Sequence, residues 1–243
     1  MAIYLVNLIY FVIVLPIVFV AFPIVLKLNN KENKNHVKII VVLCILFFLV
    51  RFPLVLFSET IGIMPYLVED VLFYSLLAVF GIGVTWVYIT KIEKVSFKDL
   101  GWEIEDLKKS LVFSLLSFIP LIAMFPVMMI LGNIQLAVSV SWEKLVVTLS
   151  FTILAAVYEE LMFRGIIQNH ISELTDDKKI IVLLTAFLFT ITHLFYLPFI
   201  GFGIFYIFVF IMAFLLSILR IIADQLACAI LHGGIVFILI LAV

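Results

Sequence analysis

Residues 145–167 read LVVTLSFTILAAVYEELMFRGII, and this stretch decides the fold. A helix needs roughly 20 apolar residues to cross a bilayer, and the stretch is long enough, yet Glu159 and Glu160 stand side by side within it and Arg164 follows. On insertion scales a charge near mid-helix costs about 2.5–3.5 kcal/mol, whereas each central Leu, Ile, Phe or Val contributes only about 0.3–0.6. Three uncompensated charges would offset most of the helix's drive to insert. Glu160 and Arg164 are four apart in acid-before-base order, so one helical face can hold them as a pair. Glu159 points about 100° away from Glu160 and must look toward another element. The stretch therefore predicts a membrane helix that carries a functional site.

The composition agrees, because 66% hydrophobic and 13% charged residues over 243 positions lie far outside the range of a soluble domain. Eight apolar runs of 18 to 24 residues follow one another at 3–26, 39–57, 71–90, 111–131, 145–167, 180–200, 202–219 and 226–243. The expected architecture is all-α, a polytopic membrane helix bundle of about eight transmembrane helices in a single membrane domain, 1–243. The last two runs are open to a second reading as a re-entrant pair, since only Gly201 parts the sixth run from the seventh. The first run has no basic stretch ahead of it and exceeds a signal-peptide core, so it reads as a retained helix. Pro16, Pro23, Pro53, Pro120, Pro126 and Pro198 fall within or beside the runs, where they signal kinks and close neighbours.

Basic residues are held on the cytoplasmic side. Lys27, Lys31, Lys34 and Lys38 flank the first connection, Lys91, Lys94, Lys98, Lys108 and Lys109 the third, and Lys178 and Lys179 the fifth, while the even-numbered connections carry only Lys144. The pattern places a multi-pass chain in a cell membrane with both termini outside. A net charge of -1 excludes a nucleic-acid partner. Cys44 and Cys228 lie within runs as packing residues and offer no disulfide framework or CxxC site. The polar connection FKDLGWEIEDLKKS, 97–110, has near-helical spacing and is expected along the cytoplasmic surface with Trp102, Ile104 and Leu107 dipping into the interface. Ala213 and Ser217, four apart, allow close helix approach.

Two more polar groups interrupt the apolar runs: His193 in FLFTITHLFY, with Phe189 one turn before it, and His232 in ACAILHGGIV, ahead of Gly233 and Gly234. A lone membrane histidine more often hydrogen-bonds a neighbouring helix than catalyses, but here the histidines accompany a buried carboxylate. At about 1.5 Å per residue from the cytoplasmic ends of the runs, Glu159 is roughly 12 Å deep, His232 about 9 Å and His193 about 20 Å. The three can meet if the helix of His193 tilts or begins later than its run. A carboxylate and two imidazoles in one pocket can activate water: the carboxylate takes the proton, one imidazole holds the water, and the other steadies the oxyanion of an attacked carbonyl. Gly233 and Gly234 are expected to leave room for a substrate backbone or for water.

Glu159-Glu160-Leu161-Met162-Phe163-Arg164 resembles the EExxxR motif of the CPBP family, the intramembrane proteases related to CAAX prenyl-protein endopeptidases and bacteriocin-processing enzymes. Phe189 to His193 resembles that family's FxxxH motif, and His232 falls where its last histidine stands. The resemblance covers a catalytic core of about 111–243. It implies an intramembrane endopeptidase hydrolysing a peptide bond in a membrane-associated peptide or protein within the lipid bilayer. Glu159 would activate water with His193, Glu160 would brace Arg164 with Phe189 in support, and His232 would stabilise the oxyanion. The chain departs from the family at Val236, where HxxxN or HxxxD is usual, so another group, such as Gln225 or a backbone amide near Gly233, would have to serve there.

The resemblance includes members labelled metalloproteases and members read as glutamate-dependent without metal. No HExxH occurs, and the metal-free version is the expectation. The alternative is a divalent metal such as zinc on Glu159, His193 and His232, with Glu160 as base. A different class of function is a non-catalytic immunity or sensor-modulating membrane protein on the same scaffold, which Val236 would suit. A proton-relay transporter predicts an inverted repeat, whereas the ionisable runs cluster in the second half. High Ile, Phe, Lys and Asn content hints at a bacterium with an AT-rich genome.

Overall fold

Where the chain turns from polar to apolar, a helix begins, and the side chains just outside it supply the missing acceptors. Asn35 Oδ1 accepts the backbone N–H of Lys38, Asp106 Oδ1 that of Lys109, and Asp177 Oδ1 that of Lys179, each at 2.9–3.1 Å, so these three helix starts have a side-chain cap. The computed structural model describes residues 35–47, 82–83, 85–104, 106–132, 141–194 and 203–242. Among them the elements are α1 (His36–Phe47), a π-helical segment Tyr88–Glu93, α2 (Leu107–Gly132), α3 (Trp142–Glu160), a second π segment Leu161–Ile167, α4 (Gln168–Ser172), α5 (Lys178–Thr192), α6 (Ile204–Ile222) and α7 (Gln225–Ala242). No strand occurs among the described residues, in keeping with an all-α fold.

Two helices are long and apolar enough by length and composition to cross a membrane, at Leu107–Val127 and Ile204–Ile222. The expected count of about eight is not reached among the described residues. One reason lies in the sixth run, where the helix stops at Thr192 after 15 residues and His193 leaves it at φ -90, ψ 0. Another is the fifth, whose α3 passes without a break through Leu161–Ile167 into α4, so charges sit inside one long helix. The first run, most of the second and third, Pro16, Pro23, Pro53, Pro198, Gly201, Lys27, Lys31, Lys34 and both termini lie outside the described residues.

Among the described residues α7 and α6 have the most neighbours, and α7 carries His232. It packs on α3, α2 and α6, while α6 also lies against α5 and α2. Ser114 of α2 donates to the carbonyl of Ala227 at 2.9 Å, and the wall around α7 is apolar, with Ala227, Leu231 and Ile235 buried. The glycines after His232 serve this packing rather than opening space. A Cβ on Gly233 would meet Thr152 Cγ2 at 3.2 Å and Ala156 Cβ at 3.3 Å, and one on Gly234 would overlap the Phe118 ring. Small residues here let α7 and α3 approach closely.

The connection ahead of α2 is not the expected surface helix. Ser96 donates from both N and Oγ to Asp99 Oδ2 at 2.7 Å, and the backbone then turns at Gly101, φ +84, a left-handed geometry that glycine adopts without strain. These bonds hold the exposed Asp99 carboxyl below its usual range, so their contribution is full above that range and fades as pH falls through the lowered value. The carbonyl of Gly101 accepts from Gln225 N at 3.0 Å, pinning the turn to the α6–α7 corner. Trp102 is consequently half-buried against the core, while Ile104 and Leu107 are exposed.

Replacing Gly233 by Leu is expected to destabilise the protein by about 1–3 kcal/mol through overpacking against Thr152 and Ala156. Thermal unfolding in detergent, compared with Gly83→Ala, which meets nothing within 4 Å, checks this.

Candidate functional site

Because α3 runs on to Ser172, the depths of Glu159 and His193 come into line. Glu159 lies 13 residues from the end of α4 and His193 15 residues from the start of α5, about 20 and 22 Å along their helices. The mismatch in the sequence-based depths came from ending the fifth helix five residues early, at Ile167. Glu159, Glu160, Arg164, Phe189, His193 and His232 are all buried, and they form one cluster drawn from α3, the π segment, α5 and α7.

Its base is the pair expected from the spacing. Arg164 Nη1 donates to Glu160 Oε1 at 3.0 Å with both side chains fully buried. Arg164 Nη2 reaches across to the carbonyl of Ala213 at 3.1 Å, and its guanidinium lies 4.5 Å over the Phe189 ring. One turn on, Gln168 donates to the carbonyl of Ser217 at 3.1 Å. These two bonds repeat at a four-residue step on both helices, so the approach that Ala213 and Ser217 permit also supplies acceptors for buried donors. The π segment falls on this stretch, with the N–H of Gln168 bonded five residues back to Phe163; such bulges recur at functional sites because they re-aim side chains.

Glu160 does more than brace Arg164. The same Oε1 accepts from His232 Nδ1 at 2.7 Å, a link between α3 and α7 that the sequence did not signal, since nothing in local spacing relates residues 72 apart. His193 Nδ1 is held by the Phe189 carbonyl at 2.7 Å, and its ring stacks on Phe189 with centroids 4.3 Å apart. Phe189 also meets the rings of Phe163 and His232 edge-on at 4.8 and 5.8 Å. A carbonyl and an ionised carboxylate only accept, so both Nδ1 atoms carry protons. That leaves both Nε2 atoms toward Glu159, whose Oε2 is 3.5 Å from His193 Nε2 and 3.7 Å from His232 Nε2.

The predicted trio thus meets on one carboxylate oxygen. At these distances a shared proton, a water molecule or a cation can join Glu159 Oε2 to the two Nε2 atoms. Two histidines and a carboxylate are a donor set known for zinc, and 3.5 and 3.7 Å are near the spacing of about 3.3 Å between tetrahedral ligands at 2.0–2.1 Å. Yet no group of three or more His, Cys, Asp or Glu among the described residues has the full geometry to hold a metal.

Gln225 is buried at the start of α7, seven residues or about 10 Å before His232, too far along the helix to replace the polar group missing at Val236. A second buried cluster escaped the sequence reading: His170 Nε2 lies 2.9 Å from Glu93 Oε1, Tyr88 donates to the same oxygen, and His36 Nδ1 is 3.0 Å from His170 Nδ1. His170 stands just past the end of an apolar run, where a polar residue carries no signal.

Residues 140–238 match a known family, Rce1-like, described as type II CAAX prenyl endopeptidase Rce1-like. The matched segment spans α3 to α7 and contains every residue of the cluster. The match agrees with the resemblance that the motifs carry. The description names neither a metal nor bacteriocin processing. No curated protein and no solved structure matches the chain.

Arg164→Ala is expected to cost about 3–5 kcal/mol by leaving Glu160 charged and buried beside one neutral donor. Reduced yield and a lowered melting temperature of the purified protein measure it, and Glu160→Gln combined with Arg164→Ala should recover part of the loss.

Proposed function

From the similarity of residues 140–238 to type II CAAX prenyl endopeptidases, we propose that the chain is an intramembrane endopeptidase that hydrolyses a peptide bond in a membrane-associated peptide or protein. The observation that carries this reading is the convergence of two Nε2 atoms on Glu159 Oε2 at 3.5 and 3.7 Å. Water between them finds one base and two oriented rings. Glu159 removes a proton from that water while His193, its Nδ1 fixed on the Phe189 carbonyl, accepts the water's second hydrogen at Nε2 and aims the oxygen. The resulting hydroxide adds to the scissile carbonyl carbon. His232 can donate to the oxyanion only when both its nitrogens are protonated, and the Glu160 carboxylate at Nδ1 compensates that charge. Glu159 then returns its proton to the leaving amine as the C–N bond breaks.

In this reading no metal takes part; were one bound, Glu159, His193 and His232 would hold it, and it would polarise the carbonyl and the water. The proposed catalytic core is 111–243, set in one membrane domain with about eight spans and the site opening toward the cytoplasmic side. A CAAX-like prenylated peptide is the substrate class suggested by the similarity. Other membrane-bound peptides come next.

Purified protein given a prenylated CAAX peptide is expected to cleave it, with Glu159→Gln lowering kcat by about 10²–10⁴-fold and His193→Ala acting similarly. Undiminished turnover in either folded variant would refute the assignment. Chelation is expected to leave activity unchanged in protein found metal-free by elemental analysis; activity that vanishes with the chelator and returns with zinc would transfer the mechanism to a metal.

A further inference from the structure

A cavity of about 180 Å³ opens beside the α6–α7 corner, lined by the cations Lys98, Lys109 and Arg220 and the acids Glu103, Asp106 and Asp224 around Gly101. Arg220, in the last turn of α6, lies across the backbone of Gly101, where a Cβ would overlap its guanidinium. Gly101 is therefore needed twice, for its positive φ and for the room it gives this side chain. The Nε of Arg220 is buried and finds no hydrogen-bond partner among the described residues. Asp224, the acid nearest in sequence, is already engaged: Ser110 Oγ donates to its Oδ2, and Ala227 N to its Oδ1 at 2.8 Å. Glu103 is paired with Lys98 at 2.8 Å, and Asp106 caps α2. Each carboxylate of the lining thus has a donor from within the fold, Glu103 a cation and Asp106 and Asp224 neutral groups, while the Arg220 Nε has no partner among the described residues and Lys109 is exposed.

We propose that this cavity binds a phosphate group, presented by an anionic lipid headgroup, on Arg220 and Lys109. A guanidinium donates two parallel bonds to phosphate oxygens and an ammonium adds a point charge. Lipid is the favoured source because Ile104, Leu107 and Leu111, all exposed and apolar, border the same connection and the start of α2, where acyl chains would lie while the headgroup enters the cavity. The cavity is built from segments outside the Glu159 cluster, so binding here is separate from hydrolysis and anchors the α6–α7 corner to the headgroup layer.

The test places the full chain in phosphatidylcholine nanodiscs, with and without phosphatidylglycerol, and counts retained phosphatidylglycerol by native mass spectrometry alongside the melting temperature. Sodium phosphate against sodium chloride forms a parallel arm in detergent. The native chain should retain phosphatidylglycerol and melt higher with it, and Arg220→Gln should weaken retention by about tenfold or more, the loss of a charge-assisted bond pair. Lys109→Gln, at an exposed position with little bearing on folding, should weaken it several-fold and answers the question if Arg220→Gln does not fold. Protection by inorganic phosphate alone, abolished in the same variants, supports the phosphate site with a soluble ligand as its source. Equal retention of phosphatidylglycerol by the native chain and the folded variants, with no protection by phosphate, would overturn the proposal.

Discussion

A single carboxylate oxygen, Oε1 of Glu160, accepts from both Arg164 and His232, and the rest of the structure is arranged around that fact. A charge in a fully buried position is tolerated only with its counter-charge and donors in place. Here the counter-charge comes from the same helix and the second donor from α7. Arg164 in turn reaches α6 through the Ala213 carbonyl and lies over Phe189 of α5. One buried ion pair therefore connects four helices, and it fixes the rotation of α7 that turns His232 toward Glu159. Helix packing by apolar side chains alone would tolerate other rotations, because such contacts are non-directional.

The neighbouring acid owes its different surroundings to the helix itself. Glu159 and Glu160 are adjacent, so their side chains diverge by about 100°; one meets Arg164 and the other meets two imidazoles. The π segment that follows changes the pitch where Arg164, Gly165 and Gln168 must meet α6 and the turn at Leu100. His193 reaches the cluster for the opposite reason, because its helix ends: as the residue that closes α5 it adopts a bridge-region backbone, and its ring folds back onto the carbonyl of Phe189.

The connection before α2 shows how the same physics works at a polar surface. Ser96, Asp99 and Gly101 shape a tight turn, and the Gly101 carbonyl receives the first amide of α7. That bond sets where α7 starts, seven residues before His232. The corner that carries Arg220 and the helix that carries His232 are thus held by one backbone contact, which joins the rim of the bundle to its buried cluster.

Much of this was legible in the sequence. The buried charges at 159, 160 and 164, the four-residue pairing of Glu160 with Arg164, the divergence of Glu159 and the roles open to His193 and His232 all follow from helical geometry and the cost of burying charge. Both are local properties and need no knowledge of neighbours. The length of the fifth helix was misjudged because hydropathy ends at Ile167 while hydrogen bonding continues to Ser172. The connection was misread because helical spacing does not register a glycine that turns the chain inward. Which atoms meet across helices was beyond the sequence: His232 on Glu160, Arg164 on Ala213, His170 on Glu93, and Gly233 against Thr152. Those partners lie 49 to 81 residues apart, and only the packing of the bundle, which sets the depth and rotation of each helix, brings them within bonding distance.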